Sequence, residues 1–362
     1  MSPTVYLHIG APKTGTTYLQ DRLSVNASAL ASHGVHFPSR SPLVSPGLFH
    51  FRAALDLLGQ DWGGAPGHAE GSWDALVRRV QRRSGTVVVS HEILAPAKPE
   101  HVARAMNDLG PDVHVVYTAR DLGRQVPAAW QESIKQGRRW RYDRFVRRME
   151  RGRVWFSRAF DIPSVLGTWG AHVPPENVHL ITVPQSGRSA PDDDLWHRFC
   201  RVVGIDPAWA PEQSTRANES LGVAETAVLR RLNKQLDRGV RREAAYDGLI
   251  RSMLAENVLV EGKSPRITLP PTSYDWVDQL TGTWIEWIQQ SGIDVVGDVE
   301  ELRAVRPGTE KWHDPDRVPP RKRLRVSVNA LAAMTVEAAQ RPDPGSTLRA
   351  RVRANAERLR LR

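Results

Sequence analysis

Cysteine is nearly absent: Cys200 is the single example among 362 residues. One thiol excludes any intramolecular disulfide framework and any zinc site built on cysteines, and it fits a reducing compartment. Long apolar runs are missing as well. No stretch approaches the roughly 20 residues that cross a bilayer, and the opening MSPTVYLHIGAP has no basic segment followed by an apolar one of the kind that directs secretion. A soluble, cytoplasmic protein is the expectation. Acidic residues are in deficit, 40 against 50 Lys and Arg, for a net charge of +10. Such a surplus favours anionic partners in general, from nucleotides to an acidic membrane surface. Much of it sits in RKRLR (321–325) and in the closing RVRANAERLRLR. A terminal basic run is ordinarily a solvated tail or helix face, and this one also suits contact with a membrane surface.

What is present is enough chain for one α/β core with an elaborated second half. TVYLHIG (4–10), TVVVSHE (86–92), VHVVYTAR (113–120) and NVHLITVP (177–184) are short β-branched runs, the second and third ending abruptly in polar residues. Continuous apolar strands of this kind belong to a parallel sheet covered on both faces. The intervening patterns are helical: about 16 to 33, DLGRQVPAAWQESIKQG with a proline in its first turns, and RYDRFVRRMERG, a basic amphipathic segment. DDDLWHRFCRVVG, GVAETAVLRRLNKQLD and SYDWVDQLTGTWIEWIQQSG make the second half mostly helical. There is no internal repeat. Residues 1–305 are expected to form one domain and 306–362 a basic C-terminal extension, entered through a Pro-rich, charged linker. Ligands of open α/β sheets gather at the carboxyl ends of the strands, so chemistry is sought just after the four runs.

The first of those ends is HIGAPKTGTTYLQ. Gly10 and Gly15 have the spacing of a Walker A loop and Thr17 stands at its Ser/Thr, but Thr16 replaces the lysine, which appears three residues early as Lys13. A glycine-bearing turn between a buried strand and a helix gathers backbone N–H groups and the positive helix end around one point, an anion site. Thr14, Thr16 and Thr17 add hydroxyls and Lys13 a full charge. No Walker-B-like strand ending in Asp follows, which counts against an NTPase. A lysine at the loop apex suits sulfuryl transfer, where it can stabilise charge on the departing phosphate.

The run APKTGTTYLQ resembles the 5′-phosphosulfate loop of PAPS-dependent sulfotransferases, with Pro12, Lys13, Thr14, Gly15, Thr16 and Thr17 matching P-K-[ST]-G-T-[TS] without a gap. The order of later segments is similar to the bacterial, particularly actinobacterial, branch. The resemblance implies a P-loop-type α/β fold with a five-stranded parallel core and 3′-phosphoadenylyl sulfate as donor, with no metal. It implies a strand-ending arginine, here Arg120, on the donor's 3′-phosphate; arginine's fixed fork of donors suits a terminal phosphate. The serine that accompanies it in the family falls on Ala128, leaving Ser133 or another group such as Gln125 to replace it. A base must deprotonate the acceptor, and His91 or Glu92 occupies the corresponding strand end, with His91 favoured by its ordinary pKa and Glu92 as its orienting partner.

Tyr18 or Trp130 is expected beside the donor's adenine. Residues 215–222, with Asn218 or Ser220 as helix caps, and the basic loop 261–270 complete the candidate contacts. The acceptor class implied is a small molecule, glycan or lipid, bearing a hydroxyl or amine, with no nucleic acid. The rival functions are a P-loop small-molecule kinase and a catalytically silent nucleotide-binding protein of the same fold.

Overall fold

The computed structural model describes residues 2–341 apart from 42, 186–193, 215–219, 243–245 and 309–310. Its centre is a sheet of strands β1 (Thr4–Gly10), β2 (Val35–His36), β3 (Thr86–Ser90), β4 (Val113–Ala119), β5 (Val178–Thr182) and β6 (Asp294–Val296) in the order β2-β3-β1-β4-β5-β6. Every pairing is parallel. The α/β class is as expected, with one strand more than the five that the resemblance implied.

Side chains alternate across a strand, and both faces of this sheet are buried. Val5, Leu7 and Ile9 of β1 join Val87, Val89, Val115 and Leu180 in one core, with helices α3 (Pro46–Leu57), α4 (Ser72–Gln81), α5 (Pro99–Leu109) and α6 (Leu122–Lys135) over it. Val88, Val116 and Ile181 point the other way, onto Leu19 and Leu23 of α1 (Thr16–Val25) and Trp196 and Phe199 of the helix Leu195–Val203. Burial on both faces is why these strands read as unbroken apolar runs. From β1 the chain steps two places toward one edge through α1 and α2 (Ala27–Ser32), on the second face. The later connections step the opposite way and carry helices over the first face, as right-handed crossovers require, while the last of them also lays the helix Leu195–Val203 on the second face. Neighbouring strands β1 and β4 therefore send their following loops to opposite sides, and a crevice opens between them.

Local departures from the expected elements have local causes. The helix expected over 16–33 breaks at Asn26, whose side chain donates to Arg22 O (2.8 Å) and Glu212 O (2.9 Å) and accepts from Glu212 N (3.0 Å). The expected strand 86–92 ends at Ser90, and Glu92–Leu94 turn as a 3₁₀ segment capped by His91. The expected linker after 306 is held to the domain. Trp312 Nε1 donates to Thr268 O (3.3 Å), and Asp316 pairs with Arg230 (3.1 Å). RKRLR opens a helix, Pro320–Gln340, that buries Val326 and Ala330 against the first core. RVRANAERLRLR and Asn218 lie outside the described residues. No helix of the described residues is long and apolar enough to cross a membrane.

Candidate anion-binding site

The loop after β1 is shaped by three residues with positive φ: Gly10 (122°), Lys13 (67°) and Gly15 (102°). A Cβ on Gly10 would lie 3.3 Å from Glu92 Cα and Cβ, and one on Gly15 would run into the Leu195 side chain, so both positions need glycine. Lys13 adopts the left-handed region without that freedom, a conformation that persists where the surroundings enforce it and that clusters at ligand sites. α1 begins at Thr16 with no side-chain cap and no acid in its first turn. Its leading N–H groups and its positive end are directed at the loop.

Polar groups support the loop from beneath. Thr14 Oγ1, buried, lies 2.5 Å from both Ala11 O and Thr118 Oγ1, and Thr118 Oγ1 donates to Gly10 O (3.0 Å). Thr16 Oγ1 donates to Ala11 O (3.4 Å). These two hydroxyls therefore brace the loop. Thr17 is half-buried in the first turn of α1. Behind them His8 joins the strands, Nε2 on Thr118 Oγ1 (3.3 Å) and Nδ1 on Ser90 Oγ (2.8 Å). Burial, reinforced by nearby His91, holds the His8 pKa down to about 3, so this link is neutral.

The crevice side is cationic. Arg120, at the end of β4, reaches Lys13 O with Nη1 (3.2 Å), while its buried Nε has no hydrogen-bond partner among the described residues. The acids beside it in sequence are committed elsewhere: Asp121 caps α6 by accepting from Arg124 N (2.9 Å) and pairs with that arginine's guanidinium. Burial, with Arg124 nearby, lowers the Arg120 pKa to about 10, still a cation at neutral pH. Gln125 Nε2 donates to Pro12 O (2.8 Å), and so binds the loop from α6.

Lys13 Nζ donates to Glu132 Oε2 (2.9 Å), and Arg251, from the π-helical segment Asp247–Val258, donates to Glu132 Oε1 (2.9 Å). Burial would raise the Glu132 pKa, but Lys13 and Arg251 outweigh it and bring it down to about 2. Glu256 lies 3.5 Å from Arg251 and 3.9 Å from Lys135. Among the described residues the group sets Lys13, Arg120, Lys135 and Arg251 against Glu132 and Glu256, with Glu92 on the other side of the loop, so cations outnumber acids there.

Other expected contacts fall differently. Ser133 donates its hydroxyl to Ala129 O (3.1 Å) within α6, and among the described residues Gln125 and Glu132 are the α6 side chains that bond to the loop. Trp130 is fully buried against Tyr142 with Nε1 on Trp140 O (3.1 Å), a core residue closed to any adenine. Tyr18 packs on the second core and accepts from Arg22 Nη1 (3.1 Å). The loop 261–270 packs on the start of helix Val223–Gln235, where Ser264 Oγ accepts from Ala224 N (2.9 Å); Lys263 and Arg266 remain exposed. His91 packs at a tilt against Phe51 (5.2 Å between centroids) and uses Nδ1 to accept from Ile93 N (3.2 Å). Burial lowers its pKa, against the opposing pull of Glu92. Glu92 is partly exposed beside Gly10, its carboxylate 4.0 Å from His91 Nδ1.

Thr118, Glu132 and Arg251 are site residues that the sequence reading did not single out. A threonine and an acid among apolar positions of β4 and α6 were visible signals for two of them. Arg251 left none, being one of many arginines.

Fold and site together define a parallel α/β protein whose first strand leads into a glycine-bearing, cationic loop at the sheet's switch point, a candidate anion site. Comparison of the chain with family models, with curated proteins and with solved structures returns no match.

Proposed function

We propose that the protein is a sulfotransferase that moves the sulfuryl group of 3′-phosphoadenylyl sulfate to a hydroxyl or amine of a small-molecule, glycan or lipid acceptor. The observation that carries this reading is Arg120: a guanidinium paired with no acid among the described residues, held 3.2 Å from the Lys13 carbonyl beside a loop with its lysine at the apex. A terminal phosphate matches that fork of donors, and the cations gathered at the loop suit a polyanionic donor. Loop N–H groups from Thr14 to Thr17 would hold the 5′-phosphosulfate.

In the reaction the acceptor oxygen or nitrogen forms a bond to sulfur as the bond from sulfur to the bridging oxygen breaks, and the donor leaves as adenosine 3′,5′-bisphosphate. Lys13 stabilises the negative charge arriving on that bridging oxygen, moving off Glu132 to do so, while Arg251 keeps Glu132 neutralised. The acceptor proton goes to Glu92. His91 is the weaker base because its Nδ1 lone pair is occupied by Ile93 N–H, which leaves the proton of the neutral ring on Nε2. The geometry thus favours the opposite assignment within the His91/Glu92 pair from the one their ordinary pKa values suggest.

Calorimetry with adenosine 3′,5′-bisphosphate tests the reading. Binding is expected, with Lys13→Ala and Arg120→Ala each weakening it at least about tenfold, since hydrogen bonds to charged groups contribute about 1.5–3 kcal/mol. Absent binding, or binding indifferent to both changes, refutes it. Transfer of labelled sulfate then separates the bases: Glu92→Gln abolishes turnover, whereas His91→Asn, which preserves a capping acceptor, retains it.

A further inference from the structure

The helix Pro320–Gln340 is apolar on two sides. Val326 and Ala330 face the domain and are buried, whereas Leu324, Val328 and Leu331, spaced i, i+4, i+7 on the opposite side, are 65%, 56% and 67% exposed. Three aliphatic side chains in a row toward water are a standing cost unless something covers them. The same helix opens with exposed Arg321, Lys322 and Arg325, and its lone acid, Glu337, pairs with Arg341 (3.3 Å) at the far end. Cations in a first turn sit at the unfavourable end of the helix dipole, so they do not serve the helix itself.

The basic surface continues beyond this helix. Just ahead of it, Asp316 accepts from Asp143 N (3.1 Å) and pairs with Arg230 (3.1 Å) and Arg141 (3.8 Å), which brings the helix start beside the basic helix Tyr142–Glu150 and the helix Val223–Gln235. There Arg138, Arg139, Arg141, Arg231 and Lys234 are exposed. The Lys234 ammonium is pushed below its ordinary pKa first by Arg230, then by burial and Arg231, a sign of concentrated positive potential that Asp316 only partly offsets.

We propose that this face docks on an anionic lipid surface, Leu324, Val328 and Leu331 entering the interface and Arg321, Lys322 and Arg325 meeting the headgroup phosphates. An aliphatic stripe set among cations is the pattern of helices that lie in a bilayer interface. A polyanionic glycan or nucleic acid would use the charges and leave the stripe wet. A second copy of the chain would bring like charge against like.

Co-sedimentation of the full chain with vesicles tests this. The protein is expected to pellet with phosphatidylcholine vesicles containing phosphatidylserine, not with phosphatidylcholine alone, and to be released by salt. L324S/V328S/L331S weakens the association by at least about tenfold. R321Q/K322Q/R325Q weakens it by about fivefold per residue at low ionic strength. Both variants alter exposed positions and should melt like the parent in circular dichroism, so loss of binding is not loss of fold. No pelleting with anionic vesicles overturns the proposal, and so does a stripe variant that binds like the parent, which would mark a charge-only site. A dimer in sedimentation velocity that the stripe variant dissolves would overturn it in favour of self-association.

Discussion

Replacing Glu132 with Gln separates the two roles of the charge cluster at the loop. The folded protein holds this carboxyl at a pKa of about 2 against an ordinary 4.5, with Lys13 and Arg251 each 2.9 Å from it. At about 1.4 kcal/mol for each factor of ten, that difference is worth about 3 kcal/mol of stability at neutral pH. The folded value lies below the unfolded one, so the contribution is complete above pH 4.5 and is lost as pH falls through about 2. Glu132→Gln should therefore lower the urea-unfolding free energy by about 3 kcal/mol at pH 7, and the gap between parent and variant should shrink to less than half by pH 3. Taking the difference between the two proteins cancels every other titrating group. The same substitution frees Lys13, so adenosine 3′,5′-bisphosphate should bind the variant more tightly and raise its melting temperature by more than it raises the parent's. A stability gap below about 0.5 kcal/mol at pH 7, or one that does not change with pH, would refute the electrostatic account. A gap of the expected size without tighter ligand binding would show that Glu132 does not compete for Lys13.

Two further outcomes follow from the frame around the site. Gly15→Ala meets both a φ of 102° and the Leu195 side chain, whereas Gly204→Ala meets a φ of 72° and open space. Gly15→Ala should cost about 1–3 kcal/mol beyond Gly204→Ala in thermal unfolding and abolish adenosine 3′,5′-bisphosphate binding; equal costs would show that the loop tolerates the methyl group. Burial holds His8 and His50 both at a pKa of about 3, below the ordinary 6.5, so each contributes stability that is full above pH 6.5 and lost as pH falls toward 3. Across that window stability should fall by about 1.4 kcal/mol per pH unit for each histidine, and His8→Gln, read by urea unfolding, should lower the slope by that one histidine's share, about 1.4 kcal/mol per pH unit.

Legibility followed burial and length. β1, β3, β4 and β5 were readable because a sheet covered on both faces demands unbroken β-branched runs. β2 and β6, with two and three residues, carry no period of their own and exist through pairing with β3 and β5. The break at Asn26 depends on a partner at 212, and the docking of 311–319 on a pair between Asp316 and Arg230, neither visible locally. Tryptophan had no readable address. Trp130, set on a helix after the candidate arginine, was placed near a ligand, and packing against Tyr142 turned it into core.

The sequence alone determined the loop: two glycines five residues apart, a lysine at the apex and a helix behind, because backbone conformation is a local property. Arg120 at a strand's carboxyl end was equally local. What the charges do was decided by the tertiary structure. Glu132 and Lys13 are 119 residues apart, as are Arg251 and Glu132, yet all three meet within hydrogen-bond distance, while no acid among the described residues pairs with Arg120. The same holds for His91, whose Nδ1 accepts from Ile93 N–H, a partner that its ordinary pKa does not reveal. Coulomb interaction and hydrogen bonding depend on distance through space, and only the folded chain sets that distance.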